Sequence, residues 1–137
     1  MQVEDDANCF VCGALNEHGL HAKFDVDIEQ QSTCCRISIP ADFQGWQNIV
    51  HGGILATLLD EACIYACRSV TLNCVTADIN VRYKKPVTVG DELIVSAQIV
   101  EQKKRIFQVA ARIEVDGIVH AEAQARVFKV KQPTEST

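Results

Sequence analysis

The sequence has no apolar run long enough to cross a membrane. The longest, about residues 54 to 67, is interrupted by Asp60-Glu61 and falls short of the roughly 20 residues that a spanning helix needs. There is no excess of positive charge. Thirteen Lys and Arg against 18 Asp and Glu leave a net charge of −5, which argues against nucleic acid as a partner. There is no internal repeat and no low-complexity linker. The start, Met1-Gln-Val-Glu-Asp-Asp6, is acidic and lacks the basic start and apolar core of a signal peptide. What is present suits one folded domain over 1–137: 137 residues, 47% hydrophobic and 23% charged. Residues 1–20 read as a lead-in segment and residues 131–137 as a flexible tail.

Seven cysteines are many for this length, yet they do not read as a disulfide framework. Their number is odd, Cys34 and Cys35 are adjacent, Cys63 and Cys67 lie in a helix-like run, and Cys74 opens a strand-like one. These five read as small core residues in a reducing, cytoplasmic compartment. Cys9, Cys12, His18 and His21 have the spacing C-x2-C-x5-H-x2-H. These are zinc-ligand types, although the loop between the pairs is shorter than in a zinc finger.

Period-two alternation predicts six strands. The apolar sets are Phe24/Val26/Ile28, Cys35/Ile37/Ile39, Val75/Ala77/Ile79/Val81/Tyr83, Leu93/Val95/Ala97/Ile99, Phe107/Val109/Ala111/Ile113/Val115 and Val119/Ala121/Ala123/Ala125/Val127. Asp116-Gly117 between the last two is a hairpin signal. The segment from Gly52 to Arg68 is different: it has no proline, and its apolar residues go all the way round a helix. That pattern belongs to a helix buried on most sides. The order β-β-α-β-β-β-β predicts an α+β domain whose antiparallel sheet wraps one central helix. The alanines of the later strands would let that helix approach closely.

Two features could carry chemistry. Asp60-Glu61 interrupts the apolar helix, and a carboxylate there is costly unless it is partnered or used. Glu61 lies about 100° round the helix from Asp60 and could equally mark an exposed stripe near Arg68. Val50-His51-Gly52-Gly53 opens the same helix. Glycines at a helix start leave backbone N–H groups approachable, and the dipole adds positive potential suited to an oxyanion. Asp60, about two turns on, is then a candidate base or nucleophile.

The run Gln44-Gly-Trp46-Gln-Asn48-Ile-Val-His51-Gly52-Gly53-Ile-Leu-Ala-Thr-Leu-Leu-Asp60-Glu61-Ala is followed by Thr76-Ala-Asp-Ile-Asn-Val-Arg-Tyr83-Lys-Lys-Pro86-Val-Thr-Val-Gly90-Asp. Together they resemble the hotdog-fold acyl-CoA thioesterases, nearest the branch of phenylacetyl-CoA and hydroxybenzoyl-CoA thioesterases. The resemblance covers about residues 20 to 130. The lead-in from Cys9 to Leu20 is also similar to the start of many uncharacterised members.

The resemblance implies a curved antiparallel sheet around a central helix. It implies homodimers joined through residues 74–84, commonly stacked into tetramers, with active sites at the dimer interface. It implies an acyl-CoA substrate, no cofactor, and neither nucleic acid nor membrane as partner. By matching position, the N–H of Gly52 or Gly53 polarises the thioester carbonyl, and Asp60 is the nucleophile or general base. His51 shapes the turn, and Thr76 places the water or the carboxylate. Glu61 could share or replace the role of Asp60. Many members carry an amide six residues before the histidine. Here that position is Gly45, and Gln44, Gln47 and Asn48 are its candidate substitutes. For the coenzyme A phosphates, Arg82, Lys84 and Lys85 are preferred over Lys103, Lys104 and Arg105, which could simply cap a hairpin. Trp46, Phe43, Ile64 and Tyr65 are candidate walls for the acyl group. Cys9 and Cys12 become packing residues, with zinc the alternative. A non-catalytic acyl-CoA-binding module and a dehydratase or hydratase remain competing functions, although the histidine motifs of the latter are not seen.

Overall fold

The computed structural model describes residues 1–131; the expected tail falls, beyond Lys131, outside the described residues. Six strands and one long helix follow the expected order: β1 (Asp25–Asp27), β2 (Ser32–Ser38), α1 (Gly52–Cys67), β3 (Cys74–Tyr83), β4 (Glu92–Lys103), β5 (Ile106–Val115) and β6 (Ile118–Lys129). A one-turn 3-10 helix, Ala41–Phe43, precedes α1. All strands join one antiparallel sheet in the order β1-β2-β4-β5-β6-β3. The chain therefore leaves β2, passes through the helix, and lays β3 down at the far edge. Among the described residues no helix is long and apolar enough to cross a membrane.

The β5–β6 hairpin turns on Asp116 and Gly117, with φ of 50° and 77°. Both are left-handed, as the tight two-residue turn requires. α1 lies across the sheet and buries Leu55, Leu58, Leu59, Ala62, Cys63, Ala66 and Cys67. Ala97 pairs with Ala111 and Ala111 with Ala123, one row across three central strands. All three are buried. Side chains this small let the helix sit close, while Phe107, Leu93 and Ile113 fill the space to either side.

Three expectations are corrected. Val26 and Ile28 do not face the core: Ile28 is 72% exposed. β1 is only three residues long, and the chain then turns, with the Gln30 N–H donating to Asp27 Oδ1 at 3.0 Å and Gln31 at φ 50°. An apolar residue in a turn has no strand face. Cys34 is exposed rather than core, because it lies on the outer face beside buried Cys35. In β3, strict alternation would put Thr76 on the outer face with Asp78. Instead the register with β6 shifts between Thr76 and Asp78. Ala77 is the extra residue of a bulge. Thr76 thus pairs with buried Val127 and Ile79 with buried Ala125, so both share the helix-facing side.

The lead-in folds back on the domain. The Leu20 N–H donates to the Phe10 carbonyl at 2.7 Å and the Ala22 N–H to the Val11 carbonyl at 2.8 Å. Val11 and Ala22 are buried in the core. Gly13 turns so tightly that a Cβ there would stand 2.4 Å from the Cys9 nitrogen.

Candidate active site

Main-chain bonds aim the start of α1. The Val50 N–H donates to the Val87 carbonyl at 2.8 Å and the His51 N–H to the Phe43 carbonyl at 3.0 Å. His51 is the N-cap, with φ −57° and ψ 133°, and its Nδ1 accepts from the Gly53 N–H at 2.8 Å. The Tyr83 hydroxyl donates to the Gly52 carbonyl at 2.8 Å. The Gly52–Gly53 peptide is thus held at both ends, its carbonyl by Tyr83 and its N–H by His51. The N–H of Gly52 makes no hydrogen bond among the described residues. It stands at the positive end of the helix, free for an acceptor. A Cβ at Gly53 would come 3.0 Å from His51 Nδ1, a tight contact with the capping ring. Gly45, in place of the family amide, has the same neighbour: its Cβ would lie 3.2 Å from His51 Cδ2.

A mostly apolar cavity of about 790 Å³ opens on this helix start, lined among others by Trp46, His51, Gly52, Tyr83, Lys84 and Lys85. Trp46 is 85% exposed. Lys84 pairs with Glu122 at 3.3 Å. Apolar walls, one free N–H and two ammonium groups at the rim suit a ligand with an apolar end and an anionic end.

Asp60 is elsewhere on the same helix. Its Oδ1 accepts from the Thr76 hydroxyl at 2.5 Å, and both residues are half-buried. Eight residues of helix separate Asp60 from Gly52, about 12 Å along the axis at 1.5 Å per residue. One copy of the chain therefore cannot bring the two to one carbonyl carbon. The two-turn spacing that looks close in sequence is too long in space.

Of the remaining expected site residues, Gln44 and Asn48 shape the approach to the helix. Gln44 Oε1 accepts from the Asn48 N–H at 3.0 Å, and Asn48 has φ 64°. Gln47 is exposed in the same turn. Arg82 points to the outer face, where it lines a separate trough of about 780 Å³ with Arg112 and Glu122. Arg82 does not line the cavity at the helix start, whereas Lys84 and Lys85 do; Lys84 also reaches Glu122 of the trough. Lys103, Lys104 and Arg105 sit at the β4–β5 turn, with Lys104 at φ 58°. Tyr65 is not at the cavity; it stacks on Phe24, ring centroids 4.9 Å apart, with Arg68 over its ring. Neither Phe43 nor Ile64 lines the cavity.

Glu61 meets the lead-in. Its Oε2 accepts from Cys9 Sγ at 3.1 Å, and Cys12 lies beside both. His18 and His21 do not join this group: both are exposed, and the His21 ring nitrogen bonds the Asn16 carbonyl at 2.5 Å. Burial, reinforced by Glu61, pushes the Cys12 thiol up to about 12. Burial also raises the Tyr65 phenol. Sequence reading missed two of these partnerships. Tyr83 was visible only as an inward strand position, and nothing in the sequence ties Cys9 to Glu61 across 52 residues.

The thioesterase superfamily profile matches residues 47–122, more than half of the chain. The chain belongs to the thioesterase superfamily. A Halobacterium salinarum protein provisionally named as an esterase is 36% identical over 107 residues, 70% of each chain. The mouse acyl-coenzyme A thioesterase 13 is 26% identical over 83 residues, 59% of each chain. Among solved structures, the PaaI protein of the Escherichia coli phenylacetic acid degradation operon superposes with a TM-score of 0.74 at 22% identity, over 82% of this chain and 81% of that one. This establishes the hotdog fold. A shorter match, 49% identical over 45 residues, is to the 3-hydroxyacyl-[acyl-carrier-protein] dehydratase FabZ of Nitrosospira multiformis; it spans 33% of this chain and 31% of that protein.

Proposed function

We propose that this member of the thioesterase superfamily hydrolyses an acyl-CoA thioester, in a site completed by a second copy of the chain. The observation that carries the reading is the free N–H of Gly52 at the start of a helix, on a residue that lines a mostly apolar cavity together with Lys84 and Lys85. The thioester oxygen accepts from Gly52, and the dipole favours its developing negative charge. Lys84 and Lys85 meet the phosphates of coenzyme A, and Trp46 flanks the ligand. Asp60 of the second copy faces the carbonyl carbon, held by its own Thr76. β3 is a long edge strand with unpaired backbone groups, and pairing two such edges is the ordinary way to cover them.

As a general base, Asp60 removes a proton from water as the water oxygen bonds to the carbonyl carbon. Collapse of the oxyanion breaks the C–S bond, and the coenzyme A thiolate leaves. The proton then passes from Asp60 to solvent or the departing sulfur. As a nucleophile, Asp60 instead forms a mixed anhydride that water opens. Label in Asp60 after a single turnover in 18O-water is diagnostic of the second route, since only water attack on the Asp60 carbonyl of the anhydride puts solvent oxygen there.

The test is coenzyme A release with Asp60→Asn and Gly52→Pro, alone and mixed after denaturation and refolding. Each variant alone is slower by about a hundredfold or more, and the refolded mixture regains activity because hybrid pairs contain one intact site. A mixture as slow as its parts removes the shared site, and full turnover by Asp60→Asn removes the role of Asp60. The short dehydratase match makes dehydration of a 3-hydroxyacyl thioester the second reading. Appearance of an enoyl thioester without coenzyme A release would favour it. A protein that binds acyl-CoA and turns over neither substrate is a binding module.

A further inference from the structure

We propose that Cys9, Cys12 and Glu61 form a binding site for a zinc-class divalent cation, where the lead-in segment meets the central helix. The two thiol sulfurs and a Glu61 oxygen all lie within 4.8 Å of one another, and all three residues are half-buried. Two thiols and a carboxylate are the donor types that borderline divalent metals take. The tight turn at Gly13 brings the two sulfurs of the Cys9-x-x-Cys12 pair together. Its N–H donates to the Cys9 carbonyl at 2.8 Å, and no side chain fits there.

The geometry is close to what a metal needs. Tetrahedral bonds of about 2.3 Å to sulfur and about 2.0–2.2 Å to oxygen put neighbouring donor atoms roughly 3.5–3.8 Å apart. Cys9 Sγ and Glu61 Oε2 are 3.1 Å apart, drawn in by the proton they share. Replacing that proton by the ion requires an opening of about half an ångström, within the reach of side-chain rotation. Three protein donors leave the fourth position to solvent or to the second Glu61 oxygen.

The surroundings favour a cation. Without one, three acid groups crowd a half-buried corner. Binding releases the two thiol protons and forms two metal–sulfur bonds and one metal–oxygen bond, with no change in oxidation state. Glu61 sits on a different face of the helix from Asp60. The ion therefore fastens the lead-in to the helix rather than touching the thioester.

The test is titration of the full, tag-free, reduced protein with cobalt(II) as a spectroscopic stand-in. The expected result is a single equivalent per chain with a thiolate-to-cobalt charge-transfer band and tetrahedral d–d bands. Cys9→Ser with Cys12→Ser abolishes both, and Glu61→Gln weakens binding by about tenfold or more. Zinc added to the wild-type chain slows alkylation of Cys9 and Cys12 but not of exposed Cys34, read by peptide mass spectrometry. This keeps the test decisive if the double variant does not fold. A wild-type chain without the charge-transfer band overturns the site. So does a band that survives loss of both cysteines. Unchanged affinity and d–d bands in Glu61→Gln overturn Glu61 as a ligand.

Discussion

The Thr76 hydroxyl donates to Asp60 Oδ1 at 2.5 Å, and it reaches that oxygen only because a bulge at Ala77 turns Thr76 toward the helix. A hydrogen bond to a charged group contributes about 1.5–3 kcal/mol. It fixes which carboxylate oxygen remains free to act. Thr76→Ala is expected to lower kcat for thioester hydrolysis by about tenfold to a hundredfold with little change in KM. Thr76→Ser restores most of the rate. Equal rates for the alanine and wild-type enzymes in steady-state assays would show that Asp60 needs no such partner.

Gly52→Pro isolates one N–H. Gly52 is the first helical residue, where proline is well tolerated. His51, at φ −57° and ψ 133°, already has the extended backbone a following proline demands. A Cβ at Gly52 meets the Tyr83 ring at 3.4 Å, an ordinary contact. The substitution therefore removes the proposed oxyanion donor and leaves the helix. A fall in kcat of about 10²–10³ is expected with an unchanged far-ultraviolet circular dichroism spectrum. Retained turnover would move the oxyanion role away from Gly52.

His51→Ala tests the cap. Its Nδ1 satisfies the Gly53 N–H, so the loss is expected to cost about 1 kcal/mol in urea denaturation. His51→Asn, which can cap from the same position, should recover much of it. If Asn is no better than Ala, the imidazole contributes packing rather than a cap.

Burial raises Cys12 and Cys63 from the ordinary 9.0 to about 12. Above pH 9 the unfolded chain loses these protons while the folded chain keeps them. Their contribution to stability is full below pH 9 and is lost as pH rises from 9 toward 12. Urea midpoints should fall across that window in a chelator-treated protein. A midpoint that stays level through it would contradict thiols held neutral by burial. In the same window exposed Cys34 should be alkylated well before Cys63.

Much of the fold was legible because burial leaves a period in the sequence. The apolar surround of α1 and the alternation of β4, β5 and β6 each had one explanation. Where a run met a turn, as at Ile28, or a bulge, as at Ala77, the pattern misassigned faces. A single inserted residue inverts every side chain before it. Glycines and a helix carboxylate marked Gly52, Gly53 and Asp60 as chemical. Their spacing did not show that about 12 Å of helix keeps them apart in one copy.

By itself, then, the sequence determined the class of fold, the order of its elements, and the residue types able to act on a thioester. Those are local properties, written in periodicity and in turn chemistry. Only the tertiary structure decided who meets whom. Tyr83 holds the Gly52 carbonyl, Thr76 reaches Asp60, and Glu61 meets Cys9. Each of these choices depends on strands and loops brought together from distant parts of the chain, and no spacing along the sequence encodes that proximity.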